Sequence, residues 1–204
     1  MTDAYIKKTV QTGAQIIWRL GNSHHEPGGI KKFGAWPPKD FKKWARICSH
    51  VVAHYNEGWA DGFHYNIRYW EIWNEPDGDQ DILKPSENIL PKYKDLVGKA
   101  RRYEVAPHSW GGTMEEYYDL FATTAKLLKK EHPDILVGGP ANARFEYNEP
   151  FLKAMQERGG KIDFFSWHRY SRNPETLSKE GRDVRELLDR YGYQGLPTFL
   201  DEWN

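Results

Sequence analysis

The strongest constraint on this chain is an alternation. Five short, almost wholly apolar runs are each followed by polar residues, and stretches of helical spacing separate them. The runs are Gln15-Ile16-Ile17-Trp18-Arg19-Leu20-Gly21, residues 67–73, Ile135-Leu136-Val137-Gly138-Gly139-Pro140, Ile162-Asp163-Phe164-Phe165-Ser166-Trp167-His168, and Leu196 to Trp203. A strand that is apolar on both faces belongs in a parallel sheet covered on both sides, with helices as the crossovers.

Between the runs, helices are expected over 2–13, from Pro37-Pro38 through Phe41, Trp44, Ile47, Val51 and Tyr55, and over Thr113 to Lys130, Pro150 to Arg158 and Glu175 to Tyr191. Asp40 and Thr113 stand where helix N-caps are wanted, and Gly13 and Gly159-Gly160 where helices stop. A polar segment of roughly 35 residues follows the second strand, longer than most connections within a domain. A doubly wound open sheet would want a glycine-rich phosphate loop after a strand, and Gly138-Gly139-Pro140 is not that fingerprint.

The candidate chemical groups all fall at the carboxyl ends of these strands: Arg19, Asn74-Glu75, Asn142, His168-Tyr170 and Glu202. That placement is the one a β/α barrel uses for its active site. Glu75 and Glu202 close two of the runs amid tryptophan and asparagine. Such a pair suits glycosidic hydrolysis, in which one carboxyl protonates the leaving oxygen and the other attacks or stabilises the anomeric carbon. Strand alternation places Asp201 on the face opposite Glu202. His168 and Tyr170, two apart, project the same way. Glu71 lies on the side of Glu75 but one layer deeper, a structural position. Arg19 can bind a substrate hydroxyl or lower a carboxylate pKa.

The motifs Trp73-Asn74-Glu75-Pro76 and Asp201-Glu202-Trp203-Asn204 resemble the acid/base and nucleophile strands of clan A glycoside hydrolases. With Arg19-Leu20-Gly21, Val137-Gly138-Gly139-Pro140 and Ser166-Trp167-His168-Arg169-Tyr170, the set is most similar to glycoside hydrolase family 39, which contains β-xylosidases and α-L-iduronidases. The resemblance runs from Asp3 to Asn204. It implies an α/β fold, a partial (β/α)8 barrel made of strands three to seven with their helices. It also implies one incomplete catalytic domain over 1–204, in which strands one, two and eight, the clan's strand-two arginine and its strand-eight aromatic have no counterpart.

The resemblance makes Glu75 the general acid/base and Glu202 the nucleophile of a retaining, exo-acting, β-xylosidase-like enzyme. Asn74, His168, Tyr170, Arg19 and Trp110 are the expected substrate-binding residues, and no metal or other cofactor is implied. The expected partner is an oligosaccharide or glycoside. A non-catalytic carbohydrate-binding protein or inactive fragment is the alternative, and two facing carboxyls argue against it.

Composition narrows this further. Twenty-nine basic and 29 acidic residues cancel, which leaves no charged footprint for nucleic acid or an anionic membrane. Aromatics make up 15%, a level that serves both a core and the apolar faces of sugars. Cys48 is the only cysteine, so no intrachain disulfide forms. No apolar run approaches a membrane span, and the first residues lack a signal-peptide pattern. His24-His25-Glu26 lacks a second ligand cluster for zinc. Asp77-Gly78-Asp79-Gln80-Asp81 lacks the glycine and glutamate of a calcium loop and reads as a solvated acidic turn.

Overall fold

The computed structural model describes residues 2–21, 35–80 and 109–204. In chain order these form α1 (Thr2–Gln11), β1 (Ile17–Leu20), α2 (Phe41–Asn56), β2 (Tyr69–Ile72), α3 (Met114–Glu131), β3 (Leu136–Asn142), a 3-10 turn (Phe145–Tyr147), α4 (Asn148–Arg158), β4 (Phe164–Arg169), α5 (Pro174–Arg190) and β5 (Thr198–Trp203). The strands form one sheet in the order β1-β2-β3-β4-β5, every neighbouring pair parallel. This is the curled arc of a partial (β/α)8 barrel.

Local chemistry sets the helix ends. Asp40 caps α2 by accepting from the Lys43 amide. At α3 a reciprocal capping box joins the Thr113 hydroxyl to the Glu116 amide and the Glu116 carboxylate to the Thr113 amide. α5 starts at Pro174 behind an Asn173 cap, and α4 stops at Gly159, whose φ of 61° is left-handed. The helices bury Val52 and Tyr55 of α2, Tyr117, Phe121 and Leu128 of α3, and Phe151 and Leu152 of α4 against the sheet. Cys48 is buried among them and its thiol pKa is pushed up by burial, which makes it inert.

Two irregularities in the ladder shape the carboxyl end of the sheet. The β3–β4 register slips between Pro140 and Asn142, where Ala141 has a φ of 54° and β3 runs on to Asn142. The β4–β5 register slips as well: Trp167 faces Leu200 but His168 faces Glu202. Asp201 is the extra residue of that bulge, and a bulge re-aims side chains.

Candidate active site

β1, β2, β4 and β5 deliver their terminal side chains to one place. Arg19 on β1 donates from Nη1 to Glu202 Oε1 at 2.5 Å, from Nη2 to Asp201 Oδ2 at 3.0 Å and from Nε to Glu71 Oε2 at 2.5 Å. The Tyr170 hydroxyl donates to the other Glu202 oxygen, Oε2, at 2.8 Å. His168 Nδ1 lies 2.9 Å from Glu75 Oε1 and 3.6 Å from Glu202 Oε2. One donor atom from each of Glu75, His168 and Glu202 falls within 4.8 Å of the others. The two glutamates therefore converge on one cleft.

The backbone beneath Glu75 is unusual. Trp73, Glu75 and Ala141 have φ of 72°, 43° and 54°, left-handed values that side-chain-bearing residues seldom adopt. Neighbouring strands hold them: the Trp73 amide donates to the Leu20 carbonyl at 2.7 Å, and that of Glu75 to the Ala141 carbonyl at 3.0 Å. Gly21 is required here, because a Cβ on it would come within 2.8 Å of the Trp73 ring. Strained residues fixed from several sides are a feature of sites that aim a side chain.

Charge tunes the pair. For Glu202, burial acts upward, but hydrogen bonds from Arg19 and Tyr170 and the charge of His168 outweigh it, so its carboxyl sits below the ordinary glutamate value. Burial likewise opposes protonation of His168, yet Glu75, Asp201 and Glu202 hold its pKa above the ordinary histidine value. Arg19 Nη2 approaches His168 Nε2 at 3.3 Å. An arginine can only donate, so Nε2 accepts and the neutral ring carries its proton on Nδ1, toward Glu75. The Glu202 hydrogen bond raises the Tyr170 phenol to about 12.

Most of the residues singled out from sequence thus meet. Glu75, Glu202, His168, Tyr170 and Arg19 are joined by direct contacts, and Asn74 is buried immediately before Glu75. Trp110 does not belong with them. It is fully buried, packed edge-on against Trp73 and Tyr117, with its indole N–H on the Thr113 carbonyl, so it has no face to offer a sugar.

Asp201 also departs from expectation. The bulge turns its carboxyl to the same Arg19 that holds Glu202, and no sequence signal marks a ladder slip. Asp77 and Asp79 are not solvated but buried. Asp77 accepts from the Ala143 and Arg144 amides, and Asp79 from those of Ser109 and Trp110. Asp77 thus staples the turn after Glu75 to the turn after β3, and Asp79 staples it to the segment before α3. His24-His25-Glu26 lies outside the described residues.

Among the described residues, Glu75, His168 and Glu202 are the one group spaced closely enough to suggest an ion. Both Glu202 oxygens already accept from Arg19 and Tyr170, an arrangement that fits proton and glycosyl transfer. A groove of about 780 Å³ lies elsewhere, between Trp36, Phe41, Glu116, Lys126 and Arg158, and none of the converging residues lines it.

A parallel β/α arc that brings two glutamates together at its carboxyl end is the frame in which the chain is compared with known proteins. The particular kinship follows from comparison, in which residues 104–204 match the model of glycosyl hydrolases family 39. The chain is 27% identical over 190 residues to a β-xylosidase of Geobacillus stearothermophilus, covering 82% of this chain and 32% of the relative. Against the crystal structure of a glucosidase from Croceicoccus marinus it is 26% identical with a TM-score of 0.74, covering 100% of this chain and 37% of the other. A monomeric β-xylosidase from Caulobacter crescentus shares the fold at a TM-score of 0.70 and 21% identity, covering 97% of this chain and 39% of the other. The chain is related to glycoside hydrolase family 39, and it spans about a third of the length of the curated relatives it matches.

Proposed function

We propose that these residues form the catalytic half of a retaining glycoside hydrolase. The observation that carries this reading is the convergence of Glu75 and Glu202, with oxygen atoms within 4.8 Å, in strand-end positions of a β/α arc. Retaining enzymes place their carboxyls roughly 5–5.5 Å apart, whereas inverting ones leave room for a water at about 6.5–9.5 Å.

The chemistry assigns itself by environment. Glu202 is kept ionised by Arg19 and Tyr170 and is the nucleophile. Glu75, which accepts from His168 on Oε1, is the general acid/base. In the first step Glu202 attacks the anomeric carbon as Glu75 protonates the departing glycosidic oxygen. The products are a glycosyl ester on Glu202 and a free alcohol. In the second step Glu75, now a carboxylate, takes a proton from water as the water oxygen displaces Glu202, and the sugar leaves with its configuration retained. Asn74 is the hydrogen-bonding residue for the sugar 2-hydroxyl, and Tyr170 and Arg19 border the nucleophile's subsite.

The relatives named as β-xylosidases support a β-xyloside as substrate, and exo action is part of the same proposal. The test is made in the full-length protein. Glu75→Ala is expected to spare aryl xylosides with acidic phenol leaving groups far more than natural xylosides. Azide is expected to restore it and give a glycosyl azide of retained configuration. Equal losses on both substrate types would remove Glu75 from the acid role.

A further inference from the structure

Beneath Glu202 lies a group of charges that two-glutamate hydrolysis does not itself require. Arg19 reaches down to Glu71 and Asp201 as well as across to Glu202. Glu71 is fully buried, and the Asp201 side chain is only 12% exposed. Each spends one oxygen on Arg19. The other oxygen of each, Glu71 Oε1 and Asp201 Oδ1, is buried without any donor. One guanidinium brings the two together, Glu71 on Nε at 2.5 Å and Asp201 on Nη2 at 3.0 Å.

Ionised carboxylates bring only lone pairs, so two of them side by side repel and leave both inner oxygens unsatisfied. A single proton between them supplies the missing donor. Among the described residues, no other group facing the pair does so. The Tyr117 hydroxyl, from α3, is spent on the Ile72 and Pro140 carbonyls. His168 Nε2, from β4, lies 3.6 Å from Asp201 Oδ1, beyond hydrogen-bonding distance whatever the ring's charge. Tyr170 donates to Glu202. Charge balance points the same way. Among the described residues, with every acid ionised, Glu71, Glu75, Asp201 and Glu202 would crowd around one arginine and one histidine, and desolvated like charges do not all stay ionised.

We propose that Glu71 and Asp201 share one proton and act as a positioning pair, carrying one negative charge between them that anchors Arg19 from below and leaves its outer nitrogen to Glu202. The assignment deepens the glycosidase reading and rests on it for the role of Glu202; the shared proton itself does not. Burial first, and the charge of Glu71 second, push the Asp201 carboxyl up to about 7, the direction a shared proton requires. Asp201 and Glu71 touch no substrate in this scheme and act through Arg19.

Two measurements on the full-length protein decide it. The first is infrared difference spectroscopy of wild type against Asp201→Asn at pH ~6, below the Asp201 value of about 7. A protonated-carboxyl stretch present in wild type and lost in Asp201→Asn is expected, and its absence from wild type overturns the proposal. Should Asp201→Asn not fold, carboxyl-carbon NMR of wild-type aspartates reads the same proton. An aspartate titrating near 7 supports sharing, and every aspartate but Asp77 fully ionised at pH ~6 overturns it.

The second is the pH profile of kcat/KM. Asp201→Asn presents an N–H where the shared proton sat and leaves the pair's charge unchanged, so the acid limb stays in place. The double variant Glu71→Gln/Asp201→Asn removes that charge, frees Arg19 for Glu202 and lowers the acid limb by about one pH unit. An acid limb that already falls by about one unit in Asp201→Asn alone means both acids were ionised, which overturns the proposal. A protein that hydrolyses no glycoside defeats the functional reading only, and the spectroscopic result still stands or falls by itself.

Discussion

Replacing Arg19 by methionine keeps much of the aliphatic stem and removes a guanidinium that touches Glu71, Asp201 and Glu202 together. Breaking a buried ion pair from one side costs about 3–5 kcal/mol, because the surviving charge is left uncompensated. Arg19 is 28% exposed on its side chain, which places the expected loss at the lower end, about 3 kcal/mol. For a domain of 150–250 residues each kcal/mol corresponds to about 2–4 °C, so Tm falls by about 6–12 °C at neutral pH.

The pH dependence has a defined sign. The folded-state pKa of Glu202 is depressed, so its stabilisation is present above the ordinary glutamate value and lost as pH falls through the lower folded one. Without Arg19 burial is left to hold the Asp201 and Glu202 carboxyls up, and the stability they contribute is then present in acid and lost as pH rises. The Tm gap between wild type and Arg19→Met is therefore widest at neutral pH and closes toward about pH 4. Arg19→Lys falls between the two, since an ammonium restores charge but not the three-way fork. Thermal melts of the three proteins across this pH range are the assay. A gap under about 2 °C at neutral pH, or one that widens on acidification, refutes the reasoning.

Two further outcomes follow from the same contacts. Tyr170→Phe removes the hydrogen bond to Glu202 Oε2 at an exposed position, so about 1–2 kcal/mol of transition-state stabilisation is lost, a drop in kcat/KM of about 5–30-fold. The acid limb of its pH profile moves upward, as kinetics from acid to neutral pH will read. Burial raises Asp77 from 3.8 to about 6, so its protonated form adds stability that is complete below 3.8 and lost as pH rises past about 6. Asp77→Asn should abolish that slope in denaturant midpoints measured between these pH values.

The strand–helix alternation was readable because the apolar runs are short and continuous and three helices carry side-chain caps, at Asp40, Thr113 and Asn173. The meeting of Arg19, Glu75, His168, Tyr170 and Glu202 was readable for a related reason: parallel strands bring their carboxyl ends to one side. Asp201 was not, because strict alternation fails wherever a ladder slips, and the slip at Trp167–His168 depends on the partner strand. Trp110 could not be resolved from sequence either. Whether a loop indole faces sugar or core depends on what reaches it, here Trp73 and Tyr117 from distant parts of the chain. Asp77 and Asp79 read as solvated because their partners, the backbone amides of two other turns, leave no trace in composition.

The division of labour between Glu75 and Glu202 is the centre of this account, and trapping the covalent intermediate tests it most directly. A 2-deoxy-2-fluoro-β-xyloside with a dinitrophenolate leaving group should inactivate the full-length protein and leave one fluoroxylosyl group. Peptide mass spectrometry should then find that group on Glu202. A label on Asp201, or hydrolysis of an aryl xyloside with inverted configuration, would contradict the account.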